Sequence, residues 1–408
     1  MYSNISHRKL THIKLFILKK QYNFLRFNSA SLKTCTIFNK KGIFALPWYM
    51  DYRIICANQK YLEKSGMKVS QIETFDGFLN FLHRLKKLKI NNFYPIAFSG
   101  RNDWNVLHNF SPWIWSEGGS FISYDKKWKS NLLNIQTLRG IYKYIFLALE
   151  SYHHPQSLRE NSNILNQRFA RGESGVISST TEILNNIRIP VSQGGLLGSQ
   201  ISQDGLVVIN FPKGKAGSFG FLGGSNLCIP KKHSNNILAH KLVVYLTSNT
   251  TLNNYLNQMG FLPSDKNLWK IWKRKPYLTK VLNNIHNSKI FVNIALWGKI
   301  ELALVECLSE IWTIIDSGYF SMKSLISILI KYDKMINSLF KNFSIQKHNH
   351  MILIKMLEDY HKTLKSMIKT NTKKHFLIDN LFIIIMVFCG FGLLIFIRRK
   401  RQKNEKTV

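Results

Sequence analysis

Short apolar runs alternate with segments of helical periodicity along most of the chain. After Thr74, phenylalanine and leucine residues between Phe75 and Leu85 recur at the spacing of one helix face, which predicts a helix that begins at Thr74. The run Gly42–Asn58 predicts a turn followed by two short strands. Similar patterns predict a short helix closed by Gly66, strands within 93–100, 172–180, 205–212 and 220–230, and helices at 135–149, 164–169, 236–246, 251–258, 301–315 and 324–340. Strands separated by helices indicate an α/β protein, and strands that return after long excursions indicate two lobes.

One segment near the C-terminus departs from this globular pattern. Residues 376–397 are apolar apart from Asp379 and Asn380, and their uncharged part would be about 25 Å long as a helix. We predict one transmembrane helix there, with a buried core helix as the alternative. A charged helical stalk is expected at 341–375 and a basic tail at 398–408. Because positive charges stay in the cytoplasm, the large N-terminal part is expected on the extracytoplasmic side of the cell membrane.

The N-terminus carries no clean export signal. The apolar run within "HIKLFILKK", 12–20, is too short and too interrupted for the hydrophobic region of a signal peptide, and no small-residue cleavage site follows it.

The composition is that of a globular protein with a strong basic excess. Hydrophobic residues make up 45% of the chain, which is enough for sizeable cores. The 57 Lys and Arg residues against 22 Asp and Glu give a formal charge of +35, which suggests nucleic acid or an anionic membrane as partner. The basic residues are spread along the whole chain, however, so we expect no nucleic-acid partner. Five cysteines without CxxC spacing indicate neither a disulfide framework nor a zinc site.

No common catalytic motif is present. The phosphate-binding loop, the dinucleotide-binding glycine pattern, the zinc-protease helix and the nucleophile elbow are all missing. Asp51, Asp103 and Glu117 include candidates for a glycosidase carboxylate pair, but nothing in their spacing requires one. We therefore predict a protein that is not an enzyme and that has neither a cofactor nor a metal site.

Three tryptophans lie within the stretch "NDWNVLHNFSPWIWSEGG", 102–119. If Asn102 or Asp103 caps a helix, Trp104 and His108 share one face of it, while leucine, phenylalanine and isoleucine side chains form another. An indole ring beside carboxylate and amide groups suits a sugar, whose C–H patch stacks on the ring while its hydroxyls find acceptors. For Trp104 we favour ligand binding over core packing. The two later tryptophans, Trp113 and Trp115, are predicted to lie in the core.

Six blocks of this sequence resemble successive blocks of a known family. They are "ALPWYMDYRIICANQKYLEKSGM", "GRNDWNVLHNFSPWIWSEGGSF", "RFARGESGVIS", "FLGGSNLCIPKK", "LTSNTTLNNYLNQMGFLPSD" and "ALWGKIELAL". In content and order they are similar to the extracellular solute-binding proteins of sugar ABC importers, the maltose-binding type, over about 27–340. The resemblance implies two α/β lobes, joined by crossing strands, that close over a sugar.

The resemblance also implies roles for single residues. "DYR" resembles the first crossing between lobes, which would place Asp51 in the cleft as a hydroxyl acceptor with Trp48 close by. "GGSN" resembles the return crossing, where Gly224 would let the backbone approach the ligand and Ser225 and Asn226 would offer hydrogen bonds; an ordinary glycine-rich turn is the alternative. Trp297 resembles the stacking platform of the second lobe, or else is a core tryptophan.

This chain departs from the family in three places. Only about forty residues precede "LPWYMDYR", where the family has a longer first-lobe segment. After "GESGVIS" the family's Gly-Pro-Trp, whose tryptophan faces the sugar, is replaced by "STTE", Ser179–Glu182. The predicted C-terminal helix would take the place of the family's N-terminal lipid.

Together these observations predict an α/β, two-lobe periplasmic-binding-protein-like fold with an incomplete first lobe and one C-terminal transmembrane helix. The expected function is binding of a sugar, oligosaccharide or polyol and its delivery to ABC permease subunits by cleft closure. The alternative is a truncated, transport-inactive remnant or a membrane-anchored interaction protein. The predicted organisation is a first-lobe remnant at 1–50, the second lobe at 51–215, a return to the first lobe at 216–265, second-lobe helices at 266–340, and then the stalk, the transmembrane helix 376–397 and the tail 398–408.

Overall fold

The computed structural model of the protein describes residues 23–341 and 350–370, apart from 102, 104, 231, 232, 234 and 235. The chain divides into two compact units, 1–358 and 359–408. Within the first unit the described helices are α1 Ser29–Thr34, α2 Gln59–Lys64, α3 Phe75–Lys87, α4 Val106–Ser116, α5 Ile135–Leu149, α6 Ser162–Ala170, α7 Ile183–Asn186, α8 Gln200–Asp204, α9 Ile237–Leu246, α10 Asn249–Met259, α11 Trp269–Trp272, α12 Pro276–Asn284, α13 Trp297–Asp316 and α14 Met322–Leu339. Its strands are β1 Leu46–Asn58, β2 Tyr94–Ala97, β3 Ile122–Asp125, β4 Lys127–Ser130, β5 Ser174–Thr180, β6 Leu206–Ile209, β7 Gly220–Leu227, β8 Leu262–Pro263 and β9 Ser288–Lys289.

One long strand, β1, organises the main sheet. Its first half pairs antiparallel with β7 and with β8, and its second half pairs antiparallel with β5 and β6. The sheet is extended by β2, which runs parallel to β5, and by β9, which runs parallel to β7. Two half-sheets therefore share a single continuous strand.

The sequence prediction of two short strands in this region is wrong. The thirteen residues of β1 form one strand, because side-chain alternation continues through the polar residues that suggested a break. Met50, Tyr52, Ile54 and Cys56 all lie in one buried cluster. The same cluster includes residues of α6, α7, α8, α10 and α12, so helices from distant parts of the chain cover one face of β1.

Several predicted helices are confirmed, and their boundaries follow from capping. The helix α3 begins after Thr74, whose hydroxyl oxygen accepts a hydrogen bond from the Gly77 amide at 3.1 Å. The helix α5 has the predicted bounds, with Asn134 as its N-cap. Trp297 opens α13, four residues before the predicted start at Glu301. The β3–β4 hairpin and the helices α1, α11 and α12 carried no sequence prediction.

The membrane prediction falls outside the structure. No helix among the described residues is long and apolar enough to cross a bilayer. The segment 376–397 and the tail 398–408 lie outside those residues. Within the predicted stalk, residues 350–358 of the first unit and 359–370 of the second are helical.

The pairing of β1 with β7 gives a testable requirement for glycine at position 224. Gly224 has φ +132°, and a Cβ there would collide with the carbonyl oxygen of Tyr49 on the paired strand. We expect Gly224→Ala to lower the free energy of unfolding by about 2 kcal/mol or more, since it adds a backbone clash to the conformational strain. Urea unfolding followed by tryptophan fluorescence measures this change.

Gly198→Ala is the matched control. Gly198 also has a positive φ, +93°, but nothing lies within 4 Å of a Cβ placed there. Gly198→Ala should therefore lower the free energy of unfolding only by the conformational strain, ~1 kcal/mol. Equal losses in the two variants would contradict the close approach of β1 and β7.

Candidate functional site

The candidate site lies where β1 and β7 run side by side. Asp51 of β1 pairs with Gly223, and Tyr49 pairs with Ser225, so the segments "DYR" and "GGSN" are direct neighbours. The Asp51 side chain is 19% exposed, and its Oδ2 lies 3.9 Å from the Arg53 guanidinium. Its Oδ1 is buried and has no hydrogen-bond partner among the described residues. A buried carboxylate oxygen without a donor is unfavourable, which makes this atom a candidate acceptor for a ligand.

Arg53 anchors β1 to the start of α4. Its side chain is 3% exposed, and its guanidinium donates a hydrogen bond to the side-chain oxygen of Asn105. The structure thus pairs Arg53 with an amide as well as with the more distant Asp51 carboxylate.

The predicted ligand residues at the start of the tryptophan stretch have different outcomes. Asn102 and Trp104 lie outside the described residues. Asp103 is buried, and its Oδ1 accepts a hydrogen bond from the Asn105 amide at 2.7 Å. Its Oδ2 accepts from the Ser162 amide at 2.6 Å and from the Ser162 hydroxyl. Asp103 therefore connects the N-terminal ends of α4 and α6. Its ligand role stays a prediction.

Every residue of α4 is buried, and the expected ligand role of His108 on this helix stays a prediction. The helix packs against α5, α13 and β7. Gly140 of α5 brings that helix so close to the backbone of Ile114 that no Cβ would fit between them. The core placement of Trp113 and Trp115 is confirmed, with exposures of 2% and 6%.

An aromatic cluster of His108, Trp115, Phe221, Phe291 and Trp297 connects α4, β7 and the start of α13. The His108 ring stacks on Phe221 with centroids 4.2 Å apart and planes inclined by 9°. Phe291 lies 4.7 Å from both Phe221 and Trp297. Two predicted site residues, His108 and Trp297, are thus joined by two rings that the sequence analysis did not select. Their positions in "FLGGSN" and "FVNIALW", next to the predicted crossing and the predicted platform, were the available signal.

His108 is expected to be neutral at pH 7. Burial lowers its pKa, and the positive charge of Arg53 lowers it further, while Glu301 and Asp51 partly offset this. Its Nε2 lies 3.8 Å from Glu301 Oε1. The ring therefore acts in the aromatic cluster as an uncharged plane.

Glu182, in the segment that replaces the family's Gly-Pro-Trp, belongs to the same electrostatic neighbourhood. Its pKa is raised, first by burial and then by the negative charge of Asp51. Hydrogen bonds with the side chains of Asn186 and Thr180 oppose this shift. The structure thus brings a second carboxyl group towards Asp51.

The other predicted residues lie on the first half of β1 and on β7. Trp48 is half-buried and stacks on Tyr255, with centroids 4.9 Å apart and planes inclined by 11°. The Ser225 hydroxyl donates to the Tyr49 hydroxyl at 2.9 Å. The exposed Asn226 donates from its side-chain amide to the Thr34 hydroxyl, also at 2.9 Å. Both polar groups thus have partners within the protein.

A separate surface cavity of about 340 Å³ does not involve these residues. It is lined by Asp333 and by residues between Lys129 and Ile135.

Comparison with known sequences identifies a family match. The model of the family described as bacterial extracellular solute-binding protein matches residues 17–251, more than half of the chain. No curated protein sequence matches the chain significantly.

Solved structures with a similar fold include several sugar complexes. Maltose-bound MalE3 from T. maritima matches with a TM-score of 0.66 at 16% identity, covering 81% of each chain. A solute-binding protein from Thermotoga lettingae TMO bound with α-D-tagatose matches with a TM-score of 0.66 at 18% identity, covering 82% of this chain and 81% of its own. A sugar transporter from Arthrobacter chlorophenolicus A6 with bound laminaribiose matches with a TM-score of 0.62 at 17% identity, covering 81% of each chain. At such identities the likeness establishes the fold.

The environment of His108 predicts how it titrates and how its titration affects stability. Because its folded pKa is lowered, the unfolded chain binds this proton first as the pH falls below about 6.5. The free energy of unfolding therefore decreases as the pH falls from about 6.5 to the lower pKa that His108 has in the folded protein. We expect His108→Phe, which keeps a ring against Phe221, to show a shallower loss of unfolding free energy between pH 7.5 and pH 5 than the unchanged protein.

Histidine ring NMR measures the titration directly, with the urea-unfolded protein as the control. The midpoint of His108 should lie below the unfolded value. A midpoint at or above that value would contradict the buried, uncharged ring.

Proposed function

Because the chain belongs to the bacterial extracellular solute-binding proteins, we propose that it binds a sugar, oligosaccharide or polyol and delivers it to an ABC importer when its two lobes close. The observation that carries the choice of ligand is the arrangement at the β1–β7 crossing. Asp51 Oδ1 has no hydrogen-bond partner there among the described residues. The Asp51 charge raises the pKa of His108, so the two side chains are neighbours. His108 in turn belongs to the aromatic cluster that includes the half-buried Trp297.

These groups match the two kinds of surface that a sugar presents. The C–H face of a pyranose packs on an aromatic plane, which the half-buried Trp297 supplies at the start of α13. A ring hydroxyl donates to Asp51 Oδ1 and thereby satisfies the buried oxygen. A small number of polar groups, such as Asp51 on β1, then fix the orientation of the ligand.

Glu182 lies in the segment that replaces the family's Gly-Pro-Trp, whose tryptophan faces the sugar. A carboxyl group there takes part in hydrogen bonds instead of ring stacking, so this side of the ligand carries hydroxyls. The electrostatic interaction of Glu182 with Asp51 supports a shared polar end of the site. The ligand is thus stacked at its Trp297 side and hydrogen-bonded at its Asp51 and Glu182 side.

Lobe closure follows from the shared strand. The first half of β1 belongs with β7 and β8, and the second half belongs with β5 and β6. A small change in twist between the halves moves the elements attached to each half, as in hinge closure around a ligand. Asp51 lies at the junction, so a ligand bound there contacts both lobes and favours the closed form.

We also propose that residues 376–397 anchor the protein, with the basic residues after them in the cytoplasm and the binding unit outside it. The apolar length of this segment and the extracellular character of the family support this topology.

The ligand proposal predicts the effect of three substitutions on affinity. Titration calorimetry of the full-length protein against monosaccharides, disaccharides and polyols, in a detergent without a sugar headgroup, should identify at least one ligand. Trp297→Ala should weaken its binding by about tenfold or more, as expected for an aromatic anchor. Asp51→Asn should weaken it by about tenfold, the cost of losing a charged hydrogen-bond acceptor. Trp128→Ala is the matched control, because Trp128 is also half-buried but lies on the β3–β4 hairpin.

The panel also discriminates between the functions considered. If the folded protein binds no member, the sugar proposal is refuted and the interaction-protein alternative is favoured. Binding that survives both Trp297→Ala and Asp51→Asn would place the ligand elsewhere.

The anchor proposal predicts how the protein fractionates. After expression in bacteria, the full-length chain should stay in the membrane pellet during alkaline carbonate extraction. Ile385→Lys with Leu393→Lys should release most of it, since a lysine near the bilayer centre costs about 2.5–3.5 kcal/mol. Ser366→Lys with Thr370→Lys, which adds the same charge within the predicted stalk, is the control and should not release it. Equal extraction of all three proteins would exclude the anchor.

A further inference from the structure

The helix α9 presents an uncovered apolar face. Ile237, Leu238, Leu242 and Tyr245 are 69%, 74%, 55% and 63% exposed. They occupy one side of the helix, opposite the buried Val243, because residues at these spacings fall within a single arc of an α-helix. Four large apolar side chains in one exposed patch indicate a surface that a partner covers.

A positive charge lies within this apolar face. Lys241 is exposed, and it follows Ile237 by one turn and precedes Tyr245 by one turn, so it falls inside the same arc. The helix α9 contains no Asp or Glu. A lysine among apolar side chains lays its apolar stem along them and extends its ammonium group to a polar or charged neighbour.

The acidic residues of the chain are unevenly distributed, and the part that contains α9 has almost none. Residues 205–300 include 13 Lys and Arg residues but a single acidic residue, Asp265. The Asp265 side chain is fully buried, and its Oδ2 lies 3.3 Å from the Arg26 guanidinium. This part of the chain therefore contributes no carboxylate to the protein surface.

The ion pair of Asp265 places exposed positive charge close to the end of α9. The Arg26 guanidinium that pairs with Asp265 also donates to the carbonyl oxygen of Thr247, just past α9, at 2.8 Å. Lys266, the residue after Asp265, is exposed. The basic segment that starts at Lys266 thus begins beside α9.

This basic segment continues through α11, which the helix α10 connects to α9. The helix α10 contacts α9, and Asn253 of α10 accepts a hydrogen bond from the Trp272 indole of α11 at 2.9 Å. Ile271 of α11 is 51% exposed. The exposed residues around it are basic, namely Lys270, Lys273 and Arg274. The surroundings of α9 therefore combine apolar side chains with positive charge.

We propose that the exposed face of α9 binds the surface of a bilayer rich in anionic phospholipids. Ile237, Leu238 and Leu242 enter the boundary between headgroups and acyl chains, as the apolar face of an interfacial helix does. The Tyr245 ring lies at the level of the headgroups, where tyrosine is enriched. Lys241 binds lipid phosphates, and the basic surroundings of α9 add attraction to the negatively charged surface.

An anionic bilayer fits this face better than two other partners. Nucleic acid offers phosphates but no hydrocarbon for aliphatic side chains, so it leaves the apolar part of the face uncovered. In a symmetric dimer the face of one copy meets the same face of the other, which brings Lys241 and its basic surroundings against like charges. Of the three, the bilayer interface alone supplies hydrocarbon and negative charge together.

Photo-crosslinking to lipid in the full-length protein tests this proposal. Benzoylphenylalanine replaces Leu242, and the protein is reconstituted into vesicles of phosphatidylcholine alone or of phosphatidylcholine and phosphatidylglycerol in equal amounts. After irradiation, mass spectrometry measures lipid adducts on the peptide that contains position 242. This readout concerns α9 itself, and it does not depend on whether the segment 376–397 is inserted in the bilayer.

We expect lipid adducts at position 242 in the anionic vesicles, with a yield about fivefold or more above that in the neutral vesicles. High salt should lower the yield, because it screens the attraction between exposed charges. The same probe in place of Tyr319, which is 81% exposed on the loop after α13, should show no such dependence on lipid charge.

Two pairs of variants separate the charged and the apolar contributions at position 242. Lys241→Glu should lower the yield in anionic vesicles about tenfold, whereas Lys323→Glu, at an exposed position of α14, should leave it unchanged. Ile237→Gln with Leu238→Gln should lower it as well, since it removes apolar side chains from the interface. Met335→Gln, at a residue that is 43% exposed on α14, is the control for that loss. Circular dichroism verifies that each variant is folded.

Four results would overturn the proposal. The first is an equal yield from neutral and anionic vesicles, and the second is a yield that Lys241→Glu does not change. The third is adducts between ¹⁵N-labelled and unlabelled chains in place of lipid adducts, which indicates a second copy. The fourth is loss of the lipid adducts when duplex DNA is added at the same phosphate concentration, which indicates a nucleic-acid surface.

Discussion

The hydrogen-bond ladder along β1 is the constraint on which the rest of this structure depends. Buried backbone N–H and C=O groups need partners, and this strand obtains them from four other strands, two along each half. Because the strand is continuous, the position of one half-sheet determines that of the other. Residues at its centre are fixed by both halves, and Asp51 and Arg53 lie there.

Charged groups at the centre of a buried strand carry an energetic cost that the structure only partly offsets. Arg53 is almost fully buried, where a guanidinium without acceptors would be strongly destabilising. Asn105 at the start of α4 accepts one of its hydrogen bonds, while its Nε has no hydrogen-bond partner among the described residues. Asp51 retains an oxygen with no partner among the described residues. A chain selected for stability alone would place an apolar residue at such a position. The same reasoning applies to Glu182, whose raised pKa reflects burial near a like charge.

Local signals in the sequence predicted most of the helices. The predicted bounds of α5, 135–149, are those of the structure, where Asn134 caps the helix, because helix boundaries depend on neighbouring residues. The β1 strand was divided incorrectly because Asp51 and Arg53 resemble a surface break, whereas their strand partners, Gly223 and Thr180, lie far away in the sequence. For α4, one helix face was assigned to a ligand from residue chemistry alone, and the contacts of this helix with α5, α13 and β7 could not be read from its own sequence.

The candidate site was predicted only in part, and the resemblance to a family contributed more than periodicity did. Asp51 and Gly224 were selected from quoted motifs, and they lie on the paired strands β1 and β7. Phe221 and Phe291 were missed, since periodicity does not reveal a ring contact between residues seventy positions apart; their places beside two selected motifs were the only indication. Asp103 was selected for its chemistry, but its oxygens serve the backbone and hydroxyl of Ser162.

The shared strand also limits how this sequence can evolve. Side chains alternate between the faces of a strand, so insertion or deletion of one residue inverts every position beyond it. In β1 such an event would move Met50 or Ile54 out of the buried cluster and at the same time displace Asp51 from its place opposite Gly223. Descendants of this gene are therefore expected to exchange residues in this segment but to keep its length.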